Sequence, residues 1–300
     1  MAASIQRTRI RDAWLCLLPT CLILLTVALW PLVRTVIMGF TDASLADPGG
    51  AHFIGLRNYL HRDAQGWSGV LADPDWWRAV GNTMIFSGIS VAAESLLGLG
   101  IALLLNARLP LRALLRAAVL IPWAIPTVVS AKLWAWLLNE QFGMLNDLLL
   151  HLGLIAEPLS WTGSPRLAMA SVIAVDVWKA TPFVALLLLA ALQGVPKECL
   201  EAARLDGAGR FLRFRRIVLP FIAAPLAVAV VFRLLDALRV FDVVYVLTAN
   251  NVHTMTMSIY ARLNLVDFLD AGYGSAVSTL LMLLIGLITI AYVRLAGLRL

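Results

Sequence analysis

The residues of this sequence that could do chemistry are a few ionisable side chains within strongly apolar stretches. If these stretches cross a membrane, each charge costs about 2.5–3.5 kcal/mol to insert, so it requires a partner or an aqueous cavity. Carboxylates accept hydrogen bonds and Lys and Arg donate them, so a mixed set can bind a hydroxyl-rich solute. The residues concerned are Asp176, Lys179, Arg233, Asp236, Arg239 and Asp242.

Helical spacing arranges most of these residues in two stripes. Asp176 and Phe183 lie only about 20° apart at about 100° per residue, whereas Asp242 is predicted to face away from Arg233. Two interpretations remain open and can hold together: i,i+3 ion pairs that neutralise each other, and the walls of a cavity for a neutral solute. Glu94 is expected to pair with a neighbouring helix and is assigned no function. The stripes are Asp176, Lys179, Ala180 and Phe183, and then Arg233, Asp236 and Ala237.

The composition identifies the class of protein in which these charges lie. Apolar residues make up 61% of the 300 residues and charged residues only 14%, against about 45–50% and about 25% in soluble domains. Disorder, a coiled coil and a nucleic-acid-binding domain are therefore poor fits, and no nucleic-acid partner is expected. The sequence predicts an integral membrane protein in contact with lipid.

Six apolar stretches are long enough to cross a bilayer, which requires about 20 residues in each helix. The predicted fold class is therefore all-α, with one transmembrane domain over residues 1–300. The predicted spans are 13–37, 82–106, 114–138, 167–193, 218–247 and 273–293. A short interfacial helix is also predicted within the outer loop 139–166.

Basic residues predict the orientation of these spans. With the N-terminus inside, fourteen Lys and Arg residues fall in inner segments and five in outer segments. This distribution follows the positive-inside rule, so both termini are predicted to be cytoplasmic. The inner segments are 1–12, 107–116, 194–217 and 294–300.

Motifs for enzymatic chemistry are absent from the sequence. It has no phosphate-binding G-x-x-x-x-G-K-[ST] loop and no G-x-S-x-G nucleophile turn. The four histidines are scattered, and the three cysteines lack metal-ligand spacing, so we expect no metal, no cofactor and no catalytic residue. The cysteines are Cys16, Cys21 and Cys199.

The inner loop 194–220 is the most informative segment. Pro196 can begin a helix because a proline at the first turn loses no hydrogen bond. Gly207, after Asp206, can adopt positive φ and end that helix, and a basic stretch then leads into the next span. The pattern predicts a helix–turn–helix on the inner surface, although a solvated loop is the simpler alternative.

Residues of this loop resemble a known motif. Glu201-Ala202-Ala203, Asp206-Gly207-Ala208 and then Leu219-Pro220 resemble the EAA motif of ABC-importer permease subunits. Other segments resemble the carbohydrate-uptake, maltose-type branch and, within it, the trehalose-type permeases. Those segments are Phe53–Tyr59, Asn82-Thr83, Leu120–Pro122, Trp178–Phe183, Leu235–Asp242 and Gly272–Ala276. The sequence departs from the family at Ala249–Val252, where Gly-Gly-Pro is usual.

The resemblance implies a type I ABC-importer permease fold in a bacterial cytoplasmic membrane. It implies a second homologous permease, two ATPase subunits that bind the ATP, an extracytoplasmic solute-binding protein and a sugar substrate. Glu201, Ala202, Ala203 and Gly207 would contact the ATPase, and the two stripes would lie along the sugar pathway. Two rivals remain: a permease of the same superfamily for a charged solute, such as a polyamine or glycerol phosphate, and a stand-alone channel or secondary transporter.

Overall fold

The computed structural model describes residues 2–47, 49–64, 66–107 and 110–297, without the side chains of residues 2–12. Arg108 and Arg299 of the predicted inner segments lie outside these residues, as do the side chains of Arg7, Arg9 and Arg11. The chain divides into two compact units. One comprises residues up to Pro74 with Ala261–Met282, and the other comprises Asp75–Tyr260 with the residues from Leu283 onward.

Helices account for almost all of the regular structure, as predicted. They are α1 (Ala2–Ile23), α2 (Trp30–Met38), α3 (Pro74–Asn106), α4 (Arg112–Ala124), α5 (Thr127–Leu137), α6 (Met144–His151), α7 (Ala168–Gln193), α8 (Lys197–Leu205), α9 (Arg210–Arg213), α10 (Leu219–Leu238), α11 (Asp242–Thr248), α12 (Met257–Arg262) and α13 (Ala271–Leu295). Short π-helical segments follow α1, α9 and α12, over Leu24–Leu29, Phe214–Val218 and Leu263–Asp267. A hairpin that the sequence analysis did not predict pairs β1 (His61–Asp63) with β2 (Gly66–Ser68).

Within the described residues, five helices are long and apolar enough to cross a membrane, and a bent pair provides the sixth crossing if it acts as one span. The five are Ala13–Met38, Pro74–Asn106, Ala168–Gln193, Arg210–Leu238 and Ala271–Leu295. The predicted fourth and sixth spans match α7 and α13. The second begins earlier than predicted, at Pro74, because proline is favoured in the first turn of a helix. The short helix predicted in the loop 139–166 is α6.

The prediction of a continuous third span was wrong. Arg112–Ala124 and Thr127–Leu137 meet at an angle of 92°. Ile125 adopts an extended conformation, with φ −75° and ψ 134°, because a residue that precedes proline is disfavoured in the α region. Pro126 therefore separates α4 from α5.

The predicted fifth span is also interrupted. It ends as a regular helix at Leu238, and α11 begins only at Asp242. Arg239 leaves helical geometry at φ −106° and ψ 18°. The freed carbonyl of Val240 accepts a hydrogen bond from Thr256 Oγ1 at 3.1 Å, so a distant residue supports the break.

In the unit that contains Asp75–Tyr260, α3, α7 and α10 pack around a shared apolar core. Gly98 on α3 allows the close approach, because a Cβ there would lie 2.8 Å from Val184 Cγ1 on α7. Small residues serve the same purpose where membrane helices approach closely. The buried core residues are Ala102, Leu105, Val184, Leu188, Leu189, Leu192, Val195, Ile222 and Ala229.

In the other unit, hydrogen bonds hold the loop after α2 against the start of α13. Asn58 Nδ2 donates to the carbonyls of Gly39 and Thr41 at 3.1 and 2.8 Å, and Gly272 N donates to Ala43 O at 2.8 Å. Tyr273 Oη donates to Asp73 Oδ2 at 3.2 Å. Residues of two family-like segments, Phe53–Tyr59 and Gly272–Ala276, therefore build this unit.

Candidate functional site

A cavity of about 480 Å³ lies beside α7, α10 and α11. The break at Pro126 places Trp123 and Thr127 on its wall, and the break after Leu238 places Arg239–Val243 there. Asp176, Lys179, Ala180, Phe183, Arg233, Asp236 and Ala237 also line it. All seven residues of the two predicted stripes therefore reach one cavity, and contact between them and a substrate remains a prediction.

A buried ion cluster supports the wall of this cavity. Arg233 on α10 donates from Nε to Glu94 Oε2 at 2.5 Å and from Nη2 to Glu94 Oε1 at 2.9 Å. Its Nη2 also donates to Asp176 Oδ2 on α7 at 3.0 Å. Glu94 is fully buried, and Arg233 and Asp176 are each 8% exposed. The cluster thus links α3, α7 and α10 with strong charge-assisted hydrogen bonds.

Of the two predicted i,i+3 ion pairs, Arg233–Asp236 is present and Asp176–Lys179 is not. Asp176 pairs with Arg233 on another helix, and not with Lys179 one turn away. Arg233 does approach Asp236, with Nη1 3.6 Å from Oδ2, and Arg239 Nη2 lies 2.7 Å from Asp236 Oδ1. Glu94, left without a function in the sequence analysis, is the closest partner of Arg233. The sequence signals for this pair were a single carboxylate in the predicted span 82–106 and an arginine in another predicted span.

The prediction that Asp242 faces away from Arg233 was also wrong. The regular helical repeat placed it on the side opposite Arg233, but α10 ends before reaching it, so the repeat does not extend that far. Its exposed side chain lines the same cavity as Arg233. Arg239 and Phe241 reach the cavity through the same break.

Aromatic rings form an apolar face of the cavity. Trp123 stacks against Phe183, with ring centroids 6.3 Å apart and an interplanar angle of 25°. Phe232 meets Phe183 edge-on at 85°, and Phe241 stacks on Tyr245 at 5.2 Å. Flat apolar rings beside hydrogen-bonding charges suit a solute that has both C–H faces and hydroxyl groups.

The predicted helix–turn–helix is present in the inner loop. Helix α8 follows Pro196 and ends at Asp206-Gly207, where Gly207 has φ +78°. Glu201 and Ala202 are exposed and Ala203 is half-buried. Leu219 and Pro220 form the first turn of α10, so the motif ends where the next span continues.

Large apolar side chains are exposed on this inner segment. Leu205 is 91% exposed and Phe211 is 75% exposed, beside the basic residues of α9. Such residues, surrounded by charges, are typical of a protein–protein contact. Exposed apolar side chains therefore lie close in sequence to the small residues Ala202 and Ala203 and to the basic residues of α9.

No group of three or more metal-ligating side chains occurs among the residues that the structure describes. Cys16, Cys21 and Cys199 are exposed and form no disulfide there. Cys199 lies on α8.

Comparison with known proteins gives one family for most of the chain. Residues 94–300 match the family described as binding-protein-dependent transport system inner membrane component. The trehalose/maltose transport system permease protein MalF of Thermococcus litoralis is 44% identical over 82% of this chain and 81% of its own. The trehalose transport system permease protein SugA of Mycobacterium tuberculosis is 36% identical over 96% and 89%.

Another relative is named for a different substrate. The sulfoquinovosyl glycerol transport system permease protein SmoG of Agrobacterium fabrum is 36% identical over 94% of this chain and 89% of its own. Among solved structures, a bacterial ABC transporter that imports the acidic polysaccharide alginate matches with a TM-score of 0.76 at 21% identity. That match covers 99% of each chain, and at this identity it establishes the fold alone.

Proposed function

Because the chain belongs to the binding-protein-dependent transport permeases, and is a sugar-type ABC-importer permease, we propose that it lines half of the sugar pathway and contacts an ATPase through α8. The proposal extends to a disaccharide-like substrate, as the names of MalF and SugA indicate for those relatives. The observation that carries it is the cavity between the two helices that flank α8, which combines ionic groups with an aromatic face.

The chemistry of this cavity supports a sugar. Aromatic rings can pack against the C–H faces of a sugar ring, while carboxylates and cationic groups bind its hydroxyls. The ionic groups also compensate each other through the contacts of Arg233 with Glu94, Asp176 and Asp236. A compensated site favours an uncharged solute over the polyamine or glycerol phosphate of the alternative reading.

The geometry of the inner loop supports coupling to an ATPase. Helix α8 follows α7 after a short connection and is linked to α10 through α9 and a π-helical segment. Helices α7 and α10 carry the charged wall of the cavity. Glu201, Ala202, Ala203, Asp206 and Gly207 would seat in a cleft of the ATPase, with Leu219 and Pro220 passing its movement to α10. ATP would bind the two partner subunits, and this chain would require no cofactor.

A second permease would supply the other half of the pathway, and a solute-binding protein would deliver sugar from outside. The basic residues of α8, α9 and the segment after them support a cytoplasmic position for this loop. Both termini would then be cytoplasmic, in a bacterial inner membrane.

Uptake by the reconstituted transporter tests this function. Proteoliposomes would contain this chain, its partner permease, both ATPase subunits, and the solute-binding protein with labelled trehalose or maltose. We expect ATP-dependent accumulation, abolished by Glu201→Lys without loss of membrane insertion. Glu157→Lys, the same substitution in an exposed outer loop, is the matched control and should transport normally.

Two outcomes would contradict the proposal. Uptake by this chain alone without ATPase would support a channel or secondary transporter. Normal ATP-driven uptake by the Glu201→Lys variant would remove the assigned contact with the ATPase.

A further inference from the structure

We propose that Lys179 and Asp242 are the ionic groups that hydrogen-bond the sugar directly, and that the cavity thereby selects an uncharged saccharide over an acidic one. The other charges of the cavity would hold one another and shape its wall. This inference rests on the proposed function of sugar import, and it divides the residues of that site into two roles.

Arg233 already bonds carboxylate side chains of its own chain. Its Nε and Nη2 atoms bond Glu94 and Asp176 at 2.5–3.0 Å, and its Nη1 faces Asp236 at 3.6 Å. Only 8% of the residue is exposed. A guanidinium has five N–H donors, and this arrangement directs all three of its nitrogens toward carboxylates. Sugar could engage Arg233 only by displacing a buried ion pair.

Asp236 and Arg239 are paired as well. Asp236 presents Oδ2 to Arg233 and accepts a hydrogen bond at Oδ1 from Arg239 Nη2, at 2.7 Å. The pair continues the ion chain along the end of α10. Within this chain of ion pairs, the negative charges of Glu94, Asp176 and Asp236 at least balance the positive charges of Arg233 and Arg239.

Lys179 and Asp242 differ from these residues. Both line the cavity, and neither has an ion-pair partner within 4.0 Å in the described part of the chain. Lys179 is half-buried on α7, beyond Asp176, and Asp242 is exposed at the first turn of α11. One donates and the other accepts, and they come from different elements. They can therefore bind different hydroxyls of one sugar.

This division determines the preference for charge. The ion chain leaves no excess positive charge, and Asp242 offsets Lys179. An acidic saccharide would therefore enter a cavity whose lining has no net positive charge, and Asp242 would repel its carboxylate. The fold itself does not require this preference, because the structural neighbour with a TM-score of 0.76 imports an acidic polysaccharide.

Sugar retained by the assembled transporter tests the assignment. The complete complex with its solute-binding protein would be trapped with ATP and vanadate in the presence of labelled trehalose, and bound sugar would be counted per complex. We expect Lys179→Met and Asp242→Asn each to raise the apparent Kd at least tenfold. Assembly should remain intact, because neither side chain forms an ion pair that holds the described part of the chain together.

Matched controls are available in the chain. Lys132→Met changes an exposed lysine on α5, and Asp147→Asn changes an exposed aspartate on α6, and neither residue lines this cavity. Both controls should retain trehalose like the wild type. A glucuronate-containing disaccharide should compete at least tenfold more weakly than unlabelled trehalose, and Asp242→Lys should narrow that difference.

The outcomes separate this inference from the proposed function. If the wild-type complex retains neither trehalose nor maltose and drives no uptake of either, the proposed function fails. If it retains trehalose, but both variants bind it with unchanged Kd, the roles of Lys179 and Asp242 are wrong. Equal competition by the acidic disaccharide against wild type would overturn the charge selection.

Discussion

Arg233 shows how a single buried residue determines the roles of its neighbours. A buried charge is tolerated only with close partners, and Arg233 obtains them from Glu94 on α3 and Asp176 on α7. Helical spacing predicts the stripes on α7 and α10 but not this pairing, because it gives the angle of a residue and not the helix that it faces. Long-range pairs require the packed structure.

Glu94→Gln should destabilise the permease by about 3 kcal/mol, because removing one partner of a buried ion pair leaves charge uncompensated. Replacing Glu94, Asp176 and Arg233 together by Gln, Asn and Met should recover much of this loss, since no buried charge of the cluster is then left without a partner. Thermal unfolding of the purified transporter would measure this variant and the three single variants. A loss in the triple variant as large as the sum of the three single losses would show that the cluster does not contribute as a unit.

Ala249 has a backbone conformation that L-residues rarely adopt, with φ +48° and ψ −128°. It lies at the position where this chain departs from the glycine-containing pattern of its family. Such geometry costs about 1–3 kcal/mol for a residue with a Cβ, so Ala249→Gly should raise the melting temperature of the purified transporter. Ala113→Gly, in the exposed part of α4, should lower it, because glycine weakens a helix. A lower melting temperature for Ala249→Gly would mean that the loop is unstrained.

At the scale of elements, sequence prediction succeeded where a helix has no interruption. The stretch 167–193 was predicted within one or two residues of α7, because its apolar run is bounded by polar loops. It failed at the two breaks. Pro126 was visible in the sequence, but a proline can also lie in a kinked continuous helix. The end of α10 had no such signal, because Thr256 supports it from a later segment.

Asn82 and Thr83 of α3 bind the segment between α11 and α12, a role that the family resemblance alone does not explain. Asn82 Nδ2 donates to the carbonyls of Val252 and Met255 at 3.1 and 3.0 Å. Thr83 Oγ1 accepts from Met257 N at 3.0 Å. Helix α3 thus holds the segment between α11 and α12, which includes Thr256 and so supports the break after α10.

Substitutions at Gly207 test the importance of the turn that ends α8. Its φ of +78° is accessible to glycine and tolerated by asparagine, but strained for a β-branched residue. Gly207→Val should therefore reduce ATP-dependent uptake by at least tenfold, and Gly207→Asn should retain most of it. Uptake and ATP hydrolysis would be measured together in proteoliposomes. Equal activity of the two variants would show that the turn geometry does not matter for transport.

At the scale of the whole molecule, the orientation in the membrane determines which side of the bilayer α8 faces. The distribution of basic residues predicts that α8 faces the cytoplasm, where an ATPase could reach it. Cys199 on α8 and Cys16 and Cys21 in the first span are all exposed in the chain, but only Cys199 would be exposed to water. The cysteines therefore offer a direct test of direction.

A variant with Cys16→Ala and Cys21→Ala should react with a membrane-impermeant maleimide in inside-out vesicles stripped of ATPase, and not in right-side-out vesicles. Added ATPase should protect Cys199 if α8 seats in its cleft. A control for the outer side of the membrane starts from the same variant, removes Cys199 by Cys199→Ala and introduces a new cysteine by His52→Cys. The His52 side chain is 80% exposed in the outer loop. This control should react only in right-side-out vesicles. Labelling of Cys199 from the outside would show that the predicted topology is wrong. The exposed Leu205 and Phe211 would then lie on the side of the membrane that an ATPase cannot reach.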